Sequence, residues 1–137
     1  MSASSRVLIV EDESELLDEV ASYFKRRGET VLTASSYNEG LRVIEDDSNP
    51  IDVLVSDARM PDGNGIDLIR LQTERAGDRC ICFLMTGHLE QSQIASDLHG
   101  IKIFFKPFAV SALYREVRAA LSGGVVTGLN RASERVA

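Results

Sequence analysis

The chain has no tryptophan, two cysteines, three prolines and 6% aromatic residues in 137 positions. The cysteines stand as C-x-C within Cys80-Ile81-Cys82-Phe83-Leu84-Met85. No C-x-x-C spacing and no second ligand pair accompanies them, which excludes a thiolate metal site of ordinary spacing. Alternation along a strand puts both on one face as buried, reduced thiols. No apolar stretch approaches the ~20 residues of a membrane span. The polar start, Met1 to Ser5, lacks a signal-peptide core, so the expected compartment is the cytoplasm. Net positive charge is also missing: the total is −6, and the segment after Leu121 carries +1, leaving −7 in the body. That balance argues against a grip on nucleic acid, which needs clustered Lys and Arg. Neither an internal repeat nor a low-complexity block is present.

What is present is an ordinary globular composition, 44% apolar and 26% charged, in a chain long enough for one domain with a sizeable core. Apolar runs alternate with helical patterns five times. The strands read as Val7–Val10, Thr30–Ala34, Ile51–Ser56, Cys80–Met85 and Ile101–Phe105. The first helix carries Leu16, Leu17, Val20, Ala21 and Phe24 on one face and stops at Arg26-Arg27-Gly28. Ser36-x-x-Glu39 reads as a capping box opening a second helix with Leu41, Val43 and Ile44. The third helix carries Ile66, Leu68, Ile69 and Leu71 after a loop with Pro61, Gly63 and Gly65. The fourth, about Gln91 to Leu98, is short and polar. The fifth, about Val110 to Leu121, buries Leu113, Val117 and Tyr114. Short connections imply right-handed βαβ units. The expected fold is α/β: a doubly wound, flavodoxin-like, five-stranded parallel sheet, with the order 2-1-3-4-5 taken by analogy with that kind of sheet. The expected extents are an extension over 1–5, the domain over 6–121 and a short tail over 122–137.

Three of the apolar runs end in charge. The first runs into Glu11-Asp12, the third into Asp57, the fifth into Lys106-Pro107. Parallel strands bring their last residues to one edge, so three carboxylates and one ammonium meet there. Two like charges ~4 Å apart repel by ~4 kcal/mol at an effective dielectric of 20, so they share a site only with a proton or cation. Mg²⁺ suits it, as a hard ion bound by few carboxylates that leaves room for a phosphate oxygen. The plainer alternative is that Glu11-Asp12 only opens the first helix, where acidic residues favour the positive end. Lys106 suits a phosphate, or is a surface lysine on an edge strand. Thr86 before Gly87 offers a hydroxyl to a phosphoryl oxygen, or is a simple Thr-Gly turn.

Taken together, Val10-Glu11-Asp12, the segment Asp57-Ala58-Arg59-Met60-Pro61-Asp62-Gly63-Asn64-Gly65, Met85-Thr86-Gly87-His88 and Lys106-Pro107-Phe108 resemble the receiver domain of two-component response regulators, in its single-domain form. The resemblance covers about Arg6 to Leu121. It implies that Asp57 takes a phosphoryl group from a phosphohistidine on a sensor histidine kinase or a histidine phosphotransfer protein. It implies that Glu11, Asp12, Asp57 and the backbone carbonyl of Arg59 hold Mg²⁺, and that Lys106 and Thr86 bind phosphoryl oxygens. It further implies a cis Lys106-Pro107 bond, a phosphate lifetime tuned by Arg59 and His88, and a protein target on the face of the fourth helix, fifth strand and fifth helix. Such a domain catalyses only its own phosphorylation and slow dephosphorylation, so it is not an enzyme in the usual sense. The chain departs from the family at Ile103, where an aromatic usually moves with the hydroxyl of Thr86, and in a short interval from Thr86 to Lys106. The departure implies an absent or replaced aromatic switch.

Other functions fit less well. An aspartyl-phosphate hydrolase has D-x-D, and Asp57-Ala58-Arg59 lacks the second Asp. An FMN binder needs a Ser/Thr/Gly-rich loop after the first strand, where Glu11-Asp12 would repel the phosphate. A degenerate receiver would lack part of the set Glu11, Asp12, Asp57, Thr86 and Lys106. His88 and His99 have no carboxylate-histidine cluster that would make them metal ligands.

Overall fold

The structure is a computed structural model that describes residues 5–87 and 101–123. The segment predicted as the fourth helix, both histidines and the tail from residue 124 lie outside the described residues. Within them the order is β1 (Arg6–Val10), α1 (Ser14–Arg26), β2 (Thr30–Ala34), α2 (Tyr37–Glu45), β3 (Val53–Asp57), the short strands β4 (Arg59–Met60) and β5 (Gly63–Asn64), α3 (Gly65–Ala76), a 3₁₀ turn (Gly77–Arg79), β6 (Ile81–Thr86), β7 (Lys102–Phe105) and α4 (Val110–Leu121). Helix α4 is the fifth helix of the sequence reading.

The main sheet is parallel, in the order β2-β1-β3-β6-β7, as expected. Its residues alternate between two cores. Leu8, Val10, Leu54, Leu84, Cys80 and Cys82 face the side of Ile66, Leu68 and Ile69 from α3. Val7, Ile9, Val53, Val55, Phe83 and Met85 face Leu17, Val20 and Phe24 of α1 and Leu113 and Val117 of α4. Burying one such side chain stabilises the fold by about 1.5–3 kcal/mol before chain entropy is counted. Cys80 and Cys82 are buried free thiols on one face. No helix among the described residues is long and apolar enough to cross a membrane.

The helix ends follow local chemistry. Helix α1 closes with Lys25 and Arg26 in its last turn, and the chain then leaves through Gly28 at φ +96°, a backbone shape that glycine adopts without strain. The capping box at α2 is half right. The Ser36 hydroxyl accepts from Glu39 N–H, but the Glu39 carboxylate takes Ser35 N–H rather than that of Ser36. Ser36 is fully extended (φ −154°, ψ 166°), and the acceptor reaches the residue before it. Four strands also shift by a residue or two at an end: β1 starts at Arg6, β3 runs from Val53 to Asp57 itself, β6 from Ile81 to Thr86, and β7 starts at Lys102. The β4–β5 ladder, with Arg59 opposite Asn64 and Met60 opposite Gly63, was not expected.

Candidate functional site

At the ends of β1, β3 and β7 a backbone hydrogen bond extends the ladder by one step, made by Glu11, by Ala58 just after Asp57, and by Lys106. Glu11 N–H donates to Ala34 O (3.0 Å), Ala58 N–H to Met85 O (2.9 Å) and Lys106 N–H to Thr86 O (2.8 Å). Glu11, Asp57, Thr86 and Lys106 therefore stand at one edge in fixed register. The Lys106-Pro107 bond is cis.

Lys106 Nζ lies 3.1 Å from Asp57 Oδ1 and 3.0 Å from Glu11 Oε1, with Glu13 Oε1 at 3.9 Å. Glu11 is 1% exposed and Asp57 6%. Glu11 does two jobs. Its Oε2 accepts from Glu13 N–H (3.0 Å) and so closes the start of α1. Its Oε1 touches the ammonium as an ionic contact, but no well-aligned hydrogen bond reaches that buried atom.

One oxygen from each of Glu11, Asp12 and Asp57 falls within 4.8 Å of the others, with Asp12 exposed at the mouth. Three carboxylates against one ammonium leave a charge deficit. Burial pushes the Asp57 carboxyl up to about 6, with Glu11 adding to the rise and Lys106 opposing it. Burial also raises Glu11, against the Glu13 amide and Lys106. Burial alone would lower the Lys106 ammonium, but contact with Glu11 and Asp57 outweighs it and the net shift is upward. Hard oxygen donors, an under-satisfied buried oxygen and excess negative charge are what a divalent hard cation requires.

The loop after Asp57 depends on Gly65, the last residue of the acceptor segment. A Cβ at Gly65 would stand 1.9 Å from Asp57 O and 2.6 Å from Ser56 Oγ, so no larger residue fits. Gly65 N–H donates to Ala58 O (2.8 Å) and Asn64 caps α3 through Ile66 N–H (2.8 Å). The signal available was Asn-Gly at a strand-to-helix turn. Asp62, also missed, accepts from Tyr37 N–H (2.9 Å) and Asn38 N–H (3.0 Å) of α2.

Of the residues singled out, Glu11, Asp12, Asp57 and Lys106 are brought together. Thr86 is buried at the end of β6, one step beyond the register partner of Asp57. Arg59 is exposed on β4. Ile103 stands opposite Leu84 on the edge strand β7, half-buried against the core on the α3 side of the sheet. His88 lies outside the described residues.

The family model described as "Response regulator receiver domain" matches residues 7–118. The chain belongs to this receiver family. It is 29% identical over 119 residues to response regulator SaeR of Staphylococcus aureus (strain USA300), covering 86% of this chain and 51% of that protein. The chain thus spans about half the length of the curated relatives it matches. Among solved structures, it is similar to a response regulator receiver domain protein from Clostridium thermocellum, at TM-score 0.75 and 29% identity over 86% of this chain and 94% of the other. A CheY-like receiver domain protein from Methanospirillum hungatei JF-1 shares the fold at TM-score 0.80 and 23% identity, over 88% of this chain and 95% of that one.

Proposed function

We propose that this receiver works as a phosphorylation switch in which Asp57 is the acceptor. The observation that carries the reading is the Lys106 ammonium set between Asp57 and Glu11 at 3.1 and 3.0 Å, with Asp12 completing a carboxylate trio. An Asp57 oxygen attacks the phosphorus of a phosphohistidine on a sensor histidine kinase or histidine phosphotransfer protein. The new bond is O–P, the P–N bond breaks, and the imidazole leaves with the electron pair. Such transfers depend on positioning and charge neutralisation more than on acid-base groups. Glu11, Asp12, Asp57 and the carbonyl of Arg59 would hold Mg²⁺. When bound, it supplies positive charge to the transferring oxygens. Lys106 exchanges its contact with Asp57 for a phosphoryl oxygen, and Thr86 donates its hydroxyl to another. Both keep the added charge of about −1.5 to −2 satisfied.

The output is a protein contact rather than a nucleic-acid or membrane contact, supported by the charge of −6. It involves the face of the predicted fourth helix with β7 and α4. Ile103, half-buried on β7, stands where the family's aromatic is expected, so transmission runs without that swing. The receiver acts in the cytoplasm, switching partners or shuttling phosphate, and catalyses only its own phosphorylation and slow dephosphorylation. Arg59 and His88 set the phosphate lifetime.

Incubation with MgCl₂ and a small phosphodonor, wild type beside Asp57→Asn, tests the acceptor. Intact mass spectrometry should show one added phosphoryl group in the wild type and none in the variant. Equal uptake by both would sink the assignment.

A further inference from the structure

We propose that Asp62 and Tyr37 are positioning residues for the acceptor site, holding the β4–β5 hairpin onto α2 so that the backbone of Arg59 stays beside Asp57. The inference rests on the acceptor reading above and concerns residues that take no part in the chemistry.

The hairpin is short, with two residues in each strand, and a two-residue ladder does not hold its own tilt. It is tied at three places. At the base, Gly65 N–H meets Ala58 O (2.8 Å). At the tip, both carboxylate oxygens of Asp62 are taken up, Oδ1 by Tyr37 N–H and Oδ2 by Asn38 N–H. These are the first two residues of α2, where donors lack partners within the helix and the helix end is positive. Along the side, the Tyr37 ring lies against the backbone of Gly63, so closely that a Cβ there would stand 2.3, 2.6 and 2.7 Å from three ring carbons. The base tie joins the loop to the start of α3, and besides these ties the Met60 side chain is buried in the core. The tip and side ties are the ones that join the hairpin to α2.

Arg59 lies on the first strand of this hairpin, two residues after Asp57. Its carbonyl is carried by whatever fixes the ladder. Releasing Asp62 frees the tip, and the strand carrying Arg59 is then held between Ala58 and the buried Met60 without its tie to α2. Ser36 already occupies Glu39 N–H, so the start of α2 remains capped without Asp62. Loss of Asp62 therefore acts on the hairpin more than on the helix.

The test uses the full chain with Asp62→Ala, Asp62→Asn and Gly63→Ala. Three quantities are measured: the Mg²⁺ dissociation constant by calorimetry with MgCl₂, amide exchange over residues 58–64 without metal, and the thermal midpoint without metal. Asp62→Ala should weaken Mg²⁺ binding about tenfold, a usual loss when a group supporting a metal ligand is removed. Exchange at Arg59 and Met60 should quicken while the midpoint barely moves. Asp62→Asn keeps one acceptor oxygen and should fall between. Gly63→Ala should reproduce the loss by pushing the Tyr37 ring away. A purely structural role would lower the midpoint and leave the Mg²⁺ constant at its wild-type value, which overturns the proposal. If the wild type takes up no phosphate, the acceptor reading fails, and the exchange data alone decide whether Asp62 fixes the hairpin.

Discussion

Two buried glutamates face opposite circumstances. Glu29 precedes β2, and every oxygen it has is occupied: Oε1 accepts from Ser5 N–H (3.2 Å), and Oε2 accepts from the Tyr114 hydroxyl and from Arg118, each at 3.0 Å. The surroundings are equally closed. The Tyr114 ring packs edge-on against Phe24, and the Arg27 guanidinium lies 3.6 Å over the Tyr23 ring. Glu11 is more deeply buried, yet its Oε1 has only an ionic contact, with a second carboxylate sharing the same ammonium. A buried charge with all its lone pairs occupied holds elements together. One left short of partners is a cost that persists only where something else completes it. The contrast separates the joint between α4 and the body of the domain from the edge where chemistry is expected.

The largest effect should come from removing the shared cation. Lys106→Ala leaves Glu11 and Asp57 facing each other and takes away a phosphoryl contact. Phosphate uptake from a small donor should slow about 100-fold, measured by mass spectrometry over time. Uptake within a few-fold of wild type would mean that Lys106 only balances charge. A paired experiment divides the two glutamates. Glu29→Ala strands the Tyr114 hydroxyl and Ser5 N–H and should cost about 2 kcal/mol in urea unfolding, with the Mg²⁺ constant unchanged. Glu11→Gln should do the reverse, leaving stability within about 1 kcal/mol of wild type while Mg²⁺ binding weakens about tenfold. If both variants lose stability and neither loses Mg²⁺, the distinction collapses.

The smallest effect is a pH dependence. The folded carboxyl of Asp57 is pushed up to about 6, above the 3.8 of an unperturbed aspartate, so the folded state binds this proton more tightly than the unfolded one. Its contribution to stability is full below about pH 4 and is lost as pH rises through about 6. Asp57→Asn removes that loss. Without Mg²⁺ it should therefore be more stable than wild type by about 1 kcal/mol at pH 7.5, with the gap closing towards pH 4. Lys106, left with one partner fewer, offsets part of the gain. A gap that widened on acidification would contradict the raised value.

The sheet and most of the site were legible because both depend on local pattern. Runs such as Val7–Val10 and Val53–Val55 are apolar throughout, and parallel order follows from the helices between them. Once the order is set, Glu11, Asp57 and Lys106 must share an edge. What escaped was long-range and polar. Glu29 meets Tyr114 and Arg118 across 85 and 89 residues, and Asp62 meets α2 across 24 and 25. No periodicity encodes such pairs. The Glu39 contact was missed by a single residue because the extended backbone at Ser36, not the spacing, chose its donor. Gly65 reads as a turn in sequence, whereas its necessity is the nearness of Asp57 O.

The backbone rungs that run one step beyond β1, β3 and β7 have a consequence for how this edge can change over time. Main-chain atoms hold Glu11, Ala58 and Lys106 in place, whatever their side chains are. The chemistry is thus hung on a frame that does not consult it. A lineage can exchange the reactive groups, or lose them, and inherit the same shape, while the frame answers to a different set of mutations in the two cores beneath.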